Sequence, residues 1–311
     1  MNRISGLFLA ALLISAAPAS AGADDTAPYL YILGVAQDAG YPQAGCYRPH
    51  CMPGWQNRDR RRAVVSLGLV DPASGNKYLF EATPDLPEQL YELEQVAPSE
   101  HFSLAGVFLT HAHIGHYTGL MYFGHEAMGA QDVPVFAMPR MRGYLADNGP
   151  WSQLVDYGNI ELEAIEADVP VRLGAVTVTA FRVPHREEFS EAVGFRIDGP
   201  NKSALFIPDI DKWALWEKDL EEQLRGVDYA LVDATFYAGG ELPGRDMSQV
   251  PHPFVVESMA LLADLPAGER SKVWFIHFNH SNPLLDADSE ASRAVREAGF
   301  NIAVEGLRLV L

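Results

Sequence analysis

The chain has 311 residues, 48% of them hydrophobic and 21% charged, a balance that suits a packed globular protein and excludes a disordered one. Its 41 acidic residues against 23 basic ones leave a formal net charge of −18, a field that repels phosphate backbones and argues against nucleic acid as the main substrate. No stretch of about 20 consecutive apolar residues is present, so the sequence offers no membrane-anchoring helix.

In chain order, the first segment carries Arg3, an apolar run from Leu7 to Ile14, and the small residues Ala19-Ser20-Ala21. That is a signal-peptidase pattern. It predicts a leader over residues 1–21, cleavage after Ala21, and a periplasmic or secreted chain whose residues 22–311 form one domain. The cysteines, Cys46 and Cys51, lie close together, and in an oxidising compartment they pair if the turn brings their Cα atoms within about 7 Å. A zinc site built from both sulfurs and His50 is the alternative, and the sequence names no fourth ligand for it. The basic run Arg58 to Arg62 reads as a solvated turn.

Runs rich in Val, Ile, Leu and aromatic residues predict strands over 29–36, 64–70, 78–81, 107–110, 133–137, 160–165, 176–183, 193–197, 204–207, 229–232, 273–278 and 307–311. Pro134 cannot donate to a ladder, which points to an edge position for its strand. Apolar residues at three- and four-residue spacing predict helices over 86–96, 117–128, 212–224, 254–265 and 288–298. Two β-rich halves, each covered by helices, suggest a four-layer α/β/β/α sandwich. The segments 144–159 and 237–249 carry no readable chemistry.

The run Thr110-His111-Ala112-His113-Ile114-Gly115-His116 places three imidazoles within six residues, where a buried strand turns into a helix. His111 and His113 are two apart, so on extended backbone they face the same side and can grip one ion. His116, on the turn, can face a neighbouring position. Neutral imidazole suits zinc and iron alike.

This run resembles the HxHxDH signature of the metallo-β-lactamase superfamily. The likeness extends through Val183-Pro184-His185, through Phe206-Ile207-Pro208-Asp209, and through Phe275-Ile276-His277. Within the superfamily, the segments Gly34 to Pro42, Glu81 to Asp85 and His277 to Pro283 are most similar to the branch of the pyrroloquinoline-quinone biosynthesis protein B. The resemblance implies a first metal site of His111, His113 and His185, a bridging Asp209, and a second site of His116, Asp209 and His277. It also places His252 and Asp233 where related branches carry a histidine and acid that protonate a leaving group. The plain alternatives are a helix cap for His252 and a strand-end carboxylate satisfied by backbone donors for Asp233. This chain departs from the signature at Gly115, where the superfamily has an aspartate ligand; Asp211, His280 or water would have to fill that gap.

Three functions follow from the resemblance. With zinc, as one ion or two, the protein is expected to be an exported hydrolase that uses metal-activated water on a small-molecule ester, lactone, amide or phosphodiester. With iron held by His116, His277 and Asp209, the set is that of a non-haem oxygenase, in keeping with the branch's understood role as a hydroxylase of a peptide-derived tyrosine. A site decayed through Gly115 would leave a non-catalytic metal-binding protein. The expected assembly is a monomer or small homo-oligomer.

Overall fold

The computed structural model describes residues 26–100 and 104–311, so the leader and His101 lie outside the described residues. Strands alternate the direction of their side chains, and the first strand shows what that alternation builds. In β1 (Tyr29–Gly34), Leu30 and Ile32 face a central core, while Tyr29, Tyr31 and Leu33 face a separate apolar cluster beneath helices. A strand with two covered faces must be apolar throughout, and all six of its residues are buried.

Seven strands form the first sheet, in the order β14-β1-β2-β3-β4-β5-β6, where β2 is Ser66–Asp71, β3 Asn76–Phe80, β4 Gly106–Phe108, β5 Val133–Ala137, β6 Ile160–Ala164 and β14 Arg308–Val310. The second sheet runs β13-β12-β11-β10-β9-β8-β7, where β7 is Pro170–Leu173, β8 Val176–Arg182, β9 Val193–Asp198, β10 Ser203–Ile207, β11 Tyr229–Asp233, β12 Val273–Ile276 and β13 Asn301–Ile302. Phe80 and Phe108 of the first sheet meet Phe195 and Phe206 of the second, with ring centres 5.3–6.1 Å apart, so the sheets pack face to face. Helix Leu86–Val96 covers the outer face of the first sheet through Leu86, Leu90 and Leu93. Helices Leu220–Arg225, Val255–Leu261 and Glu290–Glu297 join the core of the second through Leu224, Val255 and Val295. The architecture is the four-layer α/β/β/α sandwich. Among the described residues no helix is long and apolar enough to cross a membrane.

Strand direction gathers the site. β1, β3 and β4 run parallel in the first sheet, and so do β8, β10, β11 and β12 in the second, because each intervening antiparallel strand reverses the chain twice. The segments after these seven strands therefore emerge along the same edge of their sheet. Hydrogen bonds tie the two sheets together there: Phe278 N donates to Val35 O at 2.8 Å, and Val193 N to Thr110 O at 3.2 Å.

Three expectations need correction. β5 is not an edge strand, since it lies between β4 and β6. Phe136 O accepts from Leu109 N, so even-numbered residues of β5 face β4, and β4 starts only at Gly106; the donor that Pro134 lacks points to where that ladder begins. The helix expected over 117–128 is a short α-turn, Ile114–Tyr117, followed by a 3-10 segment, Thr118–Phe123. At Gly119 a Cβ would stand 2.0 Å from Thr83 O, so the chain presses too closely on its neighbour for a regular helix there. The helix expected over 212–224 is likewise a 3-10 turn, Trp213–Leu215, then a helix, Leu220–Arg225.

Candidate metal centre

The histidine run begins three residues beyond the end of β4, and His111, His113 and His185 are each held by one nitrogen so that the other is free to bind. His111 Nδ1 meets Thr110 Oγ1 at 2.9 Å, which turns Nε2 inward. His113 is oriented the opposite way: Nε2 meets Glu188 Oε2 at 3.2 Å and Nδ1 faces in. His185, after β8, meets Asp211 Oδ1 through Nδ1 at 3.0 Å and also presents Nε2. These three nitrogens converge, His113 Nδ1 lying 2.8 Å from His111 Nε2 and 3.2 Å from His185 Nε2. Asp209, after β10, adds Oδ2 at 3.5 Å from His111 Nε2 and 3.2 Å from His185 Nε2. Partners on the far nitrogen fix ring tautomer and direction, as metal sites require.

The second group stands beside the first. His116 Nε2 lies 3.8 Å from Asp209 Oδ2 and 3.2 Å from Oδ1 of Asp38, a residue beyond the end of β1. His277, after β12, meets Thr235 Oγ1 through Nδ1 at 2.9 Å and offers Nε2. Ligand atoms of Asp38, His116 and His277 all lie within 4.8 Å of one another, as do those of His111, His113, His185 and Asp209. Behind His116, Nδ1 faces the wholly buried Glu81 at 3.6 Å. Glu81 and His277 both adopt positive φ, 76° and 69°, strain of the kind that collects at functional sites.

The residues fit a metal on grounds of hydrogen bonding. Asp38 Oδ1, His116 Nε2 and His277 Nε2 are buried without a hydrogen-bond partner, a costly state that a cation at their meeting point would relieve. Burial, aided by the neighbouring His116, holds His111 well below the ordinary imidazole value, and burial also lowers His277, so both stay neutral and able to ligate. Burial alone would lower His116 too, but the Glu81 and Asp38 carboxylates override it and the net shift is upward. Likewise burial opposes the charged form of His185, yet Asp209 carries it up to about 9. The carboxylates thus draw positive charge to the point where a divalent cation would stand.

A third group adjoins Asp209. His252 Nδ1 lies 2.8 Å from Asp233 Oδ2 and 3.1 Å from Asp209 Oδ1, and its side chain keeps 14% of its surface exposed. Asp233 is fully buried; Oδ2 accepts from Ile210 N, and Oδ1 from Thr235 N and Oγ1. The helix begins at Val255, after Phe254, and no cap is made by His252. Burial opposes protonation of His252, but Asp233 and Asp209 raise its pKa well above the ordinary value.

The structure brings together His111, His113, His116, His185, Asp209 and His277, with Asp233 and His252 beside them. Neither Asp211 nor His280 enters the gap beside Gly115. Asp211 supports His185 from behind, and the His280 ring lies 5.6 Å from that of His50. Cys46 and Cys51 form a disulfide with Cα atoms 6.0 Å apart. His50 and His280 stand close to both sulfurs, so His280 is the fourth potential ligand that the sequence did not name. Sequence reasoning missed Asp38, Glu81, Glu188 and Thr235. Asp38 and Glu81 fall in the segments that carry the branch resemblance, Glu81 at the end of a predicted strand, but no role was read for either; nothing in the local pattern marks Glu188 or Thr235.

A family model for the beta-lactamase superfamily domain matches residues 76–278. The coenzyme PQQ synthesis protein B of Methylobacterium sp. (strain 4-46) is 30% identical over 309 residues, covering 90% of this chain and 99% of that protein. The crystal structure of Zn2+-bound PqqB from Methylobacterium extorquens superposes with a TM-score of 0.77 at 24% identity, over 91% of this chain and all of that one. A diphosphatase of the PhnP family shares the fold with a TM-score of 0.62 at 21% identity, over 91% and 97% of the two chains.

Proposed function

The chain belongs to the metallo-β-lactamase superfamily, in its PqqB-like branch, and from that premise we propose that it is an exported hydrolase of a small-molecule ester, lactone, amide or phosphodiester, working with two zinc ions. The observation that carries this reading is one carboxylate oxygen, Asp209 Oδ2, standing 3.2–3.8 Å from His111, His185 and His116 Nε2, between two complete groups of ligand atoms. His111, His113 and His185 would hold one ion, His116 and His277 the other, with Asp209 shared. A metal pair in such a site acidifies water toward neutral pH and stabilises an oxyanion. Asp209 also meets His252 through Oδ1, so the same carboxylate links the ligand groups to a proton donor. Asp233 fixes the His252 ring by Nδ1, which leaves Nε2 to deliver a proton to a departing group. Export is supported by the leader pattern and by the Cys46–Cys51 disulfide, a bond that oxidising compartments preserve.

A second reading, an iron-dependent oxygenase, is favoured by the 30% identity to a coenzyme PQQ synthesis protein. Weighing against it is a further carboxylate in the group of His116, His277 and Asp209, since Asp38 Oδ1 lies 3.2 Å from His116 Nε2 and a facial triad holds only one carboxylate. Elemental analysis of the purified chain separates the readings. Two zinc per chain with turnover of nitrophenyl esters or bis(nitrophenyl) phosphate supports hydrolysis; one iron with substrate-dependent dioxygen uptake supports oxygenation; no tightly held metal supports a binding protein without catalysis. His113→Ala is expected to lose the first-group ion and the hydrolytic activity together. Full metal content in that variant would overturn the ligand assignment.

A further inference from the structure

Gly115 stands where the superfamily signature has an aspartate, yet the space beside it is filled. A Cβ built on Gly115 would lie 2.3 Å from the Cα of Asp38 and 2.5 Å from its Oδ1, distances that no pair of residues tolerates. The glycine is therefore not a gap in the site; it makes room for a carboxylate arriving from another strand. We infer that Asp38 supplies, from the end of β1, the second-site metal ligand that Gly115 cannot.

Several independent features hold Asp38 in that role. Oδ2 accepts a 2.7 Å hydrogen bond from Gln37 Nε2, while Oδ1 is buried, makes no hydrogen bond, and points to His116 Nε2 at 3.2 Å. One oxygen is anchored and the other is free, the arrangement of a monodentate ligand. The backbone that carries it is fixed by the sheets themselves: Gln37 N donates to Phe278 O at 2.8 Å, and Ala36 bridges to both Val64 and Phe278. Phe278 follows His277, so two donors of the second group are registered against each other by main-chain hydrogen bonds. A ligand tied in this way loses little conformational freedom on binding an ion. The matched superfamily region begins at residue 76, and this donor lies before it.

The inference rests on the two-ion reading, and metal binding tests it without recourse to activity. Zinc stoichiometry and affinity, read by titration calorimetry and by the absorption of the cobalt-substituted chain, are compared for wild type, Asp38→Ala, Asp38→Asn and the exchange Asp38→Gly with Gly115→Asp. Wild type is expected to bind two equivalents. Asp38→Ala and Asp38→Asn should keep the first and bind the second about 100-fold more weakly or worse, as loss of a direct ligand implies. The exchange should recover much of the second equivalent, since it removes the clash and restores a carboxylate at the signature position. Gly115→Asp alone should lose second-site metal rather than gain it. If Asp38→Asn, nearly the same in shape and expected to fold, binds both equivalents with wild-type affinity, Asp38 merely pairs with His116 and the inference fails while the two-ion reading stands. A wild-type chain saturating at one equivalent would overturn both.

Discussion

His111, His113, His185 and His277 are each committed through one nitrogen to a hydrogen-bond partner, Thr110, Glu188, Asp211 or Thr235, while His116 Nδ1 faces the Glu81 carboxylate at 3.6 Å. Most of those partners were illegible in the sequence, because a carboxylate or hydroxyl behind a ligand needs no fixed spacing from it. His111 and His113 were legible, since two histidines two residues apart on extended backbone must share a side, and the resemblance implied His185, Asp209 and His277. His252 and Asp233 stand between these cases: the resemblance pointed to them, and their contact at 2.8 Å gives it physical content. For His252→Ala we expect kcat to fall about 100- to 10,000-fold with metal content retained. The loss should shrink as the leaving group becomes more acidic, because a good leaving group needs no proton. An equal loss across a series of nitrophenyl and alkyl esters would mean that His252 positions Asp209 rather than donating a proton.

At the scale of elements, strand periodicity predicted twelve strands, and each has its counterpart. The two that it missed, β7 and β13, lie at the outer edges of the second sheet and are only four and two residues long. Short edge strands leave little apolar pattern to read. Helices fared worse where glycine lets the backbone press on a neighbour, as at Gly119 against Thr83. The turn between β13 and β14 supplies a test. Glu305 Oε1 accepts from Ala63 N at 2.6 Å, and burial lifts its carboxyl to about 7, with Asp85 and Glu92 adding to the rise and Arg62 opposing it. The folded chain holds a proton that the unfolded chain, near the usual 4.5, releases. That contribution is complete at low pH and is lost as pH rises through about 7. Glu305→Gln keeps the acceptor without the charge, so it should gain on the order of 1 kcal/mol relative to wild type between pH 5 and pH 8, read from urea midpoints. An unchanged difference across that range would show that Glu305 titrates normally.

For the whole molecule, stability and site geometry depend on one interface. Phe80 is fully buried between the sheets, with Phe108, Phe195 and Phe206 around it, and the next residue along the chain is Glu81 behind His116. Phe80→Ala should cost about 3–5 kcal/mol in equilibrium unfolding, the usual range for emptying an aromatic core site. A loss below about 1 kcal/mol would mean that the two sheets do not share a load there.

The sequence by itself carried the strand and helix periodicity that suggested the sandwich and the short spacing that marked the histidine cluster, while His185, Asp209 and His277, far along the chain, were implied by the family resemblance. Only the tertiary structure decided what faces Gly115. Glycine is silent about its surroundings, and the carboxylate beside it comes from another strand, brought near by sheet order rather than by any pattern along the chain.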